Sequence, residues 1–246
     1  MSGHSKWHNI QAKKGKADAA RGKIFTKLGR ELAVAAKGNP NPSTNSKLAD
    51  IIAKAKAANM PNDNIDRCIK KAAGEVGDKD YKELTYEGYG VGGAAVIVTT
   101  LTDNINRTAG DVRSIMSKHG GSLGMTGCVS YMFENKGVIV VERTPSLSED
   151  EVTEYAIEAG ADDVVTADDA FEIYTTPAAF SEARKYLEEK GLTFLQAEIT
   201  MLPQNKITLP QEKLETFLKM LDKLDENDDV QNVYHNVELP EEDEED

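Results

Sequence analysis

From residue 94 onward the chain alternates strand-like and helix-like hydrophobic periods in an order that few folds can satisfy. "AAVIVTTLT" (94–102) is a β-branched run that reads as a strand. "NRTAGDVRSIMSKHGG" (106–121) turns Ala109, Val112, Ile115 and Met116 to one helical face, and "CVSYMF" (128–133) reads as a strand again. From 137 the pattern is complete. "GVIVVE" is a strand, and "SEDEVTEYAIEAG" is a helix with Ser148 and Glu151 at capping-box spacing. "DDVVT" and "AFEIYTT" are strands, "PAAFSEARKYLEEKG" a helix and "TFLQAEITML" a strand. This β-α-β-β-α-β order is that of a ferredoxin-like fold. A helix over 209–225, with Leu214, Phe217, Leu218 and Leu221 on one side, and a strand over 230–239 follow. The β-α-β piece before the complete unit and the α-β piece after it are each unpaired, and joining them is the economical solution.

The segment ahead of 80 has only helical periods. Over 18–37, Ile24, Phe25, Leu28, Leu32, Ala35 and Ala36 fall within about 120° of one another at 100° per residue, with Asp18 as cap and Gly38 and Pro40 as the stop. A second helix spans about 44–59, with Leu48, Ile51, Ile52, Ala55 and Ala58 as its stripe. Pro61 starts a third, which buries Ile65, Cys68, Ile69 and Ala72 and turns Arg67, Lys70 and Lys71 outward. "GEVGDKDYKE" (74–83) reads as a linker. The expected architecture is therefore α+β: an N-terminal helical bundle followed by two ferredoxin-like α/β-sandwich domains, the third inserted within the second. The boundaries are 1–79 for a basic arm plus helical domain, 80–133 with 205–239 for the second domain, 134–204 for the insertion, and 240–246 for an acidic tail.

Charge divides along the same line. Residues 1–75 hold 15 Lys/Arg and 6 Asp/Glu, a balance of +9, and the remainder is −22, which together give the net −13 of the 246-residue chain. A cationic head on an acidic body suits a polyanion partner that the body itself repels. An apolar content of 39% and a charged content of 29% fit a soluble globular protein, and no apolar run is long enough to cross a bilayer, so no membrane is expected as partner. Residues 1–20 lack the apolar core of a secretory signal, which makes the cytoplasm the expected compartment. Cys68 and Cys128 are too few and too far apart for a disulfide framework or a zinc site and read as reduced packing residues.

Motifs for chemistry are weak. "GYGVGG" (88–93) satisfies G-x-G-x-x-G, but it precedes a strand instead of opening a helix, so it reads as a turn and not a dinucleotide site. His4 and His8 are four apart without a carboxylate or Cys to complete a metal shell. No nucleophile elbow, HExxH or P-loop occurs; the chain is read as a non-enzyme without cofactor or metal. The arm is different. Lys6, Lys13, Lys14, Lys16, Arg21, Lys23, Lys27 and Arg30 fall within 25 residues, and Trp7, the only Trp, can stack on a base. Residues 1–17 have no hydrophobic period and cannot bury enough apolar surface to order themselves. Asn104, Arg107, Arg113 and Lys118 offer a weaker second patch, in which Arg107 and Lys118 share a face with Asp111, so that an intramolecular ion pair there is an equally good reading.

Four stretches together resemble the YebC/PmpR family: "GHSKWHNIQAKKGKADAARGKIFTKLGREL" (3–32), "ANMPNDNIDRCIKKAAG" (58–74), "YEGYGVGGAAVIV" (86–98) and "TDNINRTAGDVRSIMSKHGGSLGMTGCVSYMF" (102–133). Cys128 stands where that pattern leads one to expect Ser, a small residue for a small one. The resemblance implies a three-domain α+β fold, in agreement with the inserted-domain reading. It also implies a regulator of gene expression. Bacterial members are described as transcriptional regulators that bind DNA; mitochondrial relatives are translational activators, and association with the ribosome has been proposed for bacterial members. The expectation is a monomeric, non-enzymatic DNA-binding transcriptional regulator. A translation factor bound to the ribosome, with ribosomal or messenger RNA as partner, is the alternative.

Overall fold

A computed structural model describes residues 19–74 and 80–240; the arm 1–17, its Asp18 cap, half of the predicted linker (75–79) and residues 241–246 lie outside the described residues. Among the described residues the protein is a mixed α/β molecule with seven α-helices and two antiparallel four-stranded sheets.

Helices α1 (Ala19–Ala36), α2 (Ser46–Ala57) and α3 (Asn62–Ala73) close around Leu28, Leu32, Ala36, Leu48, Ala55 and Ile65, all nearly or wholly buried. Phe25, Ile52, Ala58, Cys68, Ile69 and Ala72 line the rim of that core. Ile24 departs from the predicted stripe and is 42% exposed, because α1 offers its apolar face to only two short helices. Asn45 builds the turn between α1 and α2. Its side-chain oxygen accepts the Leu48 N–H at 3.1 Å, while its amide donates to the carbonyls of Ala35 and Asn39, each at 2.7 Å.

The first sheet contains β1 (Lys82–Tyr89), β2 (Ala95–Thr102), the two-residue β3 (Ser122–Leu123) and β8 (Val230–His235), in the order β3-β1-β2-β8. Helices α4 (Ile105–Lys118) and α7 (Gln211–Asp225) cover one face: Val112, Met116, Phe217, Met220 and Leu224 pack on Val96, Val98, Val230 and Val233. The second sheet joins β4 (Phe133–Glu142), β5 (Asp163–Thr166), β6 (Ala170–Thr175) and β7 (Phe194–Pro203) in the order β5-β6-β4-β7. Here α5 (Glu149–Glu158) and α6 (Phe180–Glu189) press Val152, Ala156, Phe180, Ala183 and Leu187 onto Ile139, Val141, Phe171 and Ile173. The strand period of two sends Val138 and Val140 to the other face, with Ala170, Tyr174 and Leu202. The Ser148–Glu151 capping box at the start of α5 is present in both directions.

Two segments differ from the sequence reading. Of residues 128–133, only Phe133 is in a strand. Residues Ser130–Met132 form a 3₁₀ turn, and the strand starts at Phe133 and runs on to Glu142 in the second sheet. The cause is Glu87, 5% exposed, whose carboxylate accepts the N–H groups of Gly127, Val129 and Ser130 at 2.9, 3.0 and 2.9 Å and so replaces a neighbouring strand as their partner. Conversely, "KELTYEGY" was read in part as linker, yet it is β1. It pairs with β2 along its whole length, from Lys82↔Thr102 to Tyr89↔Ala95. The glycine turn of 90–93 therefore joins two antiparallel strands, with Gly92 and Gly93 at φ 75° and 82°, and opens no helix.

Candidate nucleic-acid interface

The residues expected to meet nucleic acid divide into three sets. Lys6, Trp7, Lys13, Lys14 and Lys16 lie outside the described residues, and of Arg21 only its place in the first turn of α1 is described. Lys23 and Lys118 are exposed, on α1 and in the last turn of α4. Lys27, Arg30 and Arg107 are each held by carboxylates of the protein itself.

That third set converges on the turn after α7. The Lys27 ammonium, only 12% exposed, donates to the Asp225 carboxylate at 2.7 Å and to the Asp225 carbonyl at 3.1 Å. Arg30 reaches three acceptors through one nitrogen: Asp229 Oδ1 at 2.8 Å and the carbonyls of Asp228 and Leu101 at 2.5 and 3.2 Å. Its guanidinium also lies 5.3 Å from the centre of the Tyr81 ring. Arg107 approaches from α4, donating to Asp229 Oδ2 at 2.7 Å and to Asp103 at 2.9 Å. The ion pairs that Arg107 makes are thus with Asp103, one turn back, and with Asp229. Thr108 completes the cluster with a 2.7 Å bond to Asp229 Oδ2.

Asp229 is 4% exposed. Burial alone would push its carboxyl up, but the hydrogen bonds from Arg107, Thr108 and Arg30 outweigh it and hold the group below the usual carboxylate range. Arg107 is pushed up in turn by its bonds to Asp229 and Asp103. A second cluster fixes α2 to α6 and β7. Arg184, 8% exposed, donates to Asp50 at 2.9 Å, and the Ser181 hydroxyl donates to the same carboxylate. Lys54 stands between Glu31 at 3.7 Å and Glu198 at 3.3 Å; burial would lower it, but the two carboxylates win and raise it. The helical segment is therefore fastened to the rest of the protein by ion pairs of both senses: Lys27, Arg30 and Lys54 reach out to Asp225, Asp229 and Glu198, while Asp50 receives Arg184.

A further cationic surface was visible in the sequence yet left out of the predicted site. The outer face of α3 exposes Arg67, Lys70 and Lys71, which line a shallow open depression together with Asp63 and Asp66. The acids fall toward the helix N-terminus and the bases toward its C-terminus, as the helix dipole favours. Among the described residues no group of His, Cys, Asp and Glu has the geometry to hold a metal ion, and no helix is long and apolar enough to cross a membrane.

Comparison with known proteins bears on the whole chain. Residues 5–75 match the TACO1/YebC protein N-terminal domain, and residues 81–237 match the TACO1/YebC second and third domain. A "Probable transcriptional regulatory protein" of Clostridium tetani is 58% identical over 243 residues, covering 98% of this chain and 99% of that relative. A like-named protein of Thermoanaerobacter pseudethanolicus is 54% identical over 246 residues, the full length of both. The crystal structure of a conserved hypothetical protein from Aquifex aeolicus superposes with a TM-score of 0.83 at 46% identity, over 98% of this chain and 100% of that one. With both family regions matched in order and relatives more than half identical from end to end, the chain belongs to the TACO1/YebC family.

Proposed function

We propose that the protein is a non-enzymatic regulator of gene expression that works in the cytoplasm as a monomer by binding nucleic acid, with DNA as its target. The observation that carries this reading is the division of charge. The first 75 residues are +9 and the rest −22, and Lys27 and Arg30 of the basic part pair with Asp225 and Asp229 of the acidic part. The names of the relatives support a role in transcriptional regulation. One observation favours a second reading, a translation factor on ribosomal or messenger RNA. Lys27 and Arg30 lie against the protein's own carboxylates, so α1 does not present an unbroken row of cations to a DNA groove. Binding through an arm beside a compact body suits structured RNA. The finer architecture belongs to the same reading: a helical domain, then two ferredoxin-like domains with 134–204 inserted in the second. Ultraviolet crosslinking in cells, followed by sequencing of the attached nucleic acid, tests it. Promoter DNA supports the first reading, ribosomal or messenger RNA the second, and the recovery of neither refutes both.

A further inference from the structure

The glycine-rich end of the first sheet carries an exposed surface that the arm-centred reading does not use. Met125 is 84% exposed, Tyr131 70% and Tyr89 38%. Large apolar side chains in water are unremarkable on a loose loop, but this loop is built. Glu87 grips it through three backbone N–H groups, the Gly124 N–H donates to the Glu87 carbonyl at 2.8 Å, and the Cys128 N–H donates to the Met125 carbonyl at 3.1 Å. The Tyr89 hydroxyl donates to the Cys128 carbonyl at 3.1 Å. The Tyr89 phenol is pushed up by burial and by the Tyr131 hydroxyl, which lies within hydrogen-bonding reach of its own. Exposed aromatic and thioether groups on a pre-ordered frame mark a binding surface, because little ordering entropy remains to be lost on contact.

Charge selects the partner. Residues 112–133 contain Arg113 and Lys118 and no Asp or Glu, in a part of the chain, 76–246, that holds 36 acidic residues. Both cations are exposed on α4. The C-terminal end of α4 leads directly to the platform, since Gly121 packs against the Tyr89 carbonyl. An acidic peptide would satisfy the cations but need not offer flat faces to exposed phenol rings; a single strand offers both backbone phosphates and unpaired base faces. We propose that Tyr131, Met125 and Tyr89 form a stacking platform for unpaired bases of a single-stranded nucleic acid, with Lys118 and Arg113 on the flanking phosphates. This rests on the nucleic-acid reading above and adds to it the strand state and a second contact surface away from the arm.

The test uses the full chain with labelled homopolymeric single-stranded RNA, the same sequence as DNA, and a duplex, read by fluorescence anisotropy across a salt series. The Met125→Ala/Tyr131→Ala double variant is expected to bind a single strand roughly 10- to 100-fold more weakly with an unchanged salt slope. Tyr131→Phe, which keeps the ring, loses less affinity than Tyr131→Ala, and Lys118→Ala reduces the slope by about 0.7. Ultraviolet crosslinks from the single strand map to the peptide containing Tyr131, and the RNA and DNA arms show which sugar is accepted. A parent that binds none of the three probes overturns this proposal and the functional reading together. A parent that binds, with a double variant that binds equally well and crosslinks confined to the arm, overturns the platform alone. Loss of a protein partner by the double variant, with nucleic-acid binding intact, reassigns the surface to protein docking and also overturns it.

Discussion

Asp229 joins side chains that the chain places 199 and 122 residues away, Arg30 and Arg107, in one buried cluster. Removing it leaves Arg30, 16% exposed, facing carbonyls with no counter-charge. Asp229→Ala is expected to cost about 3 kcal/mol of stability, measured by urea denaturation, the range found when one partner of a buried pair is lost. The pH dependence follows from the same contacts. The folded carboxyl lies below its ordinary 3.8, so its stabilisation is complete above that pH and is lost as pH falls through the folded value. The stability gap between the parent and Asp229→Asn should therefore be steady near about pH 6 and shrink below about pH 4. The arm's side chains call for a different measurement. If Lys13, Lys14, Lys16, Lys23 and Lys27 each neutralise a phosphate, binding to duplex DNA weakens with salt at a log–log slope of roughly −4 to −5. Because Lys27 already holds Asp225, Lys27→Ala should change that slope least of the five, whereas Trp7→Ala lowers affinity at constant slope.

Among the elements, the segment from β3 to β4 shows how one side chain can replace a strand partner. Three N–H groups that would otherwise seek a neighbouring strand end on Glu87. Burial pushes the Glu87 carboxyl up, but these three bonds prevail and lower it. Glu87→Ala leaves the three donors without their acceptor and should cost about 3 kcal/mol. The effect should be local as well as global. Hydrogen exchange at Gly127, Val129 and Ser130 is expected to rise well above that of β2, whose ladder bonds the substitution does not touch. Equal protection of the loop in parent and variant would show that the turn holds itself and that Glu87 is incidental.

For the whole molecule, the two sheets are built from separate stretches of chain. The second uses only residues between Phe133 and Pro203, while the first takes β1, β2 and β3 from before that stretch and β8 from after it. The cores are likewise separate: Ile139, Val141, Phe171 and Ile173 meet α5 and α6, whereas Val96 and Val98 meet α4 and α7. A fragment of 134–204 is expected to fold alone, with a cooperative thermal transition and dispersed amide signals by NMR. A soluble fragment lacking both would show that Asp50 and Lys54, which reach Arg184 and Glu198 from α2, are needed to hold it together.

Much of this was legible in the sequence because it is local. The stripe of Leu28, Leu32 and Ala36, the Ser148–Glu151 cap and the alternation of Val138 to Val141 repeat within a turn or a strand, where a side chain's face is set by the backbone period itself. The split of charge between head and body needed only counting. What tertiary structure decided was partnership. The polar run "KELTYEGY" is a strand because β2 lies beside it, and the apolar run at 128–133 is mostly not one because Glu87 took its donors. Likewise a row of Lys and Arg reads as open to phosphate until Asp225 and Asp229, two hundred residues on, are brought against it. Charge and hydrogen-bonding capacity are written in each residue, but which partner meets them depends on where the chain returns in space.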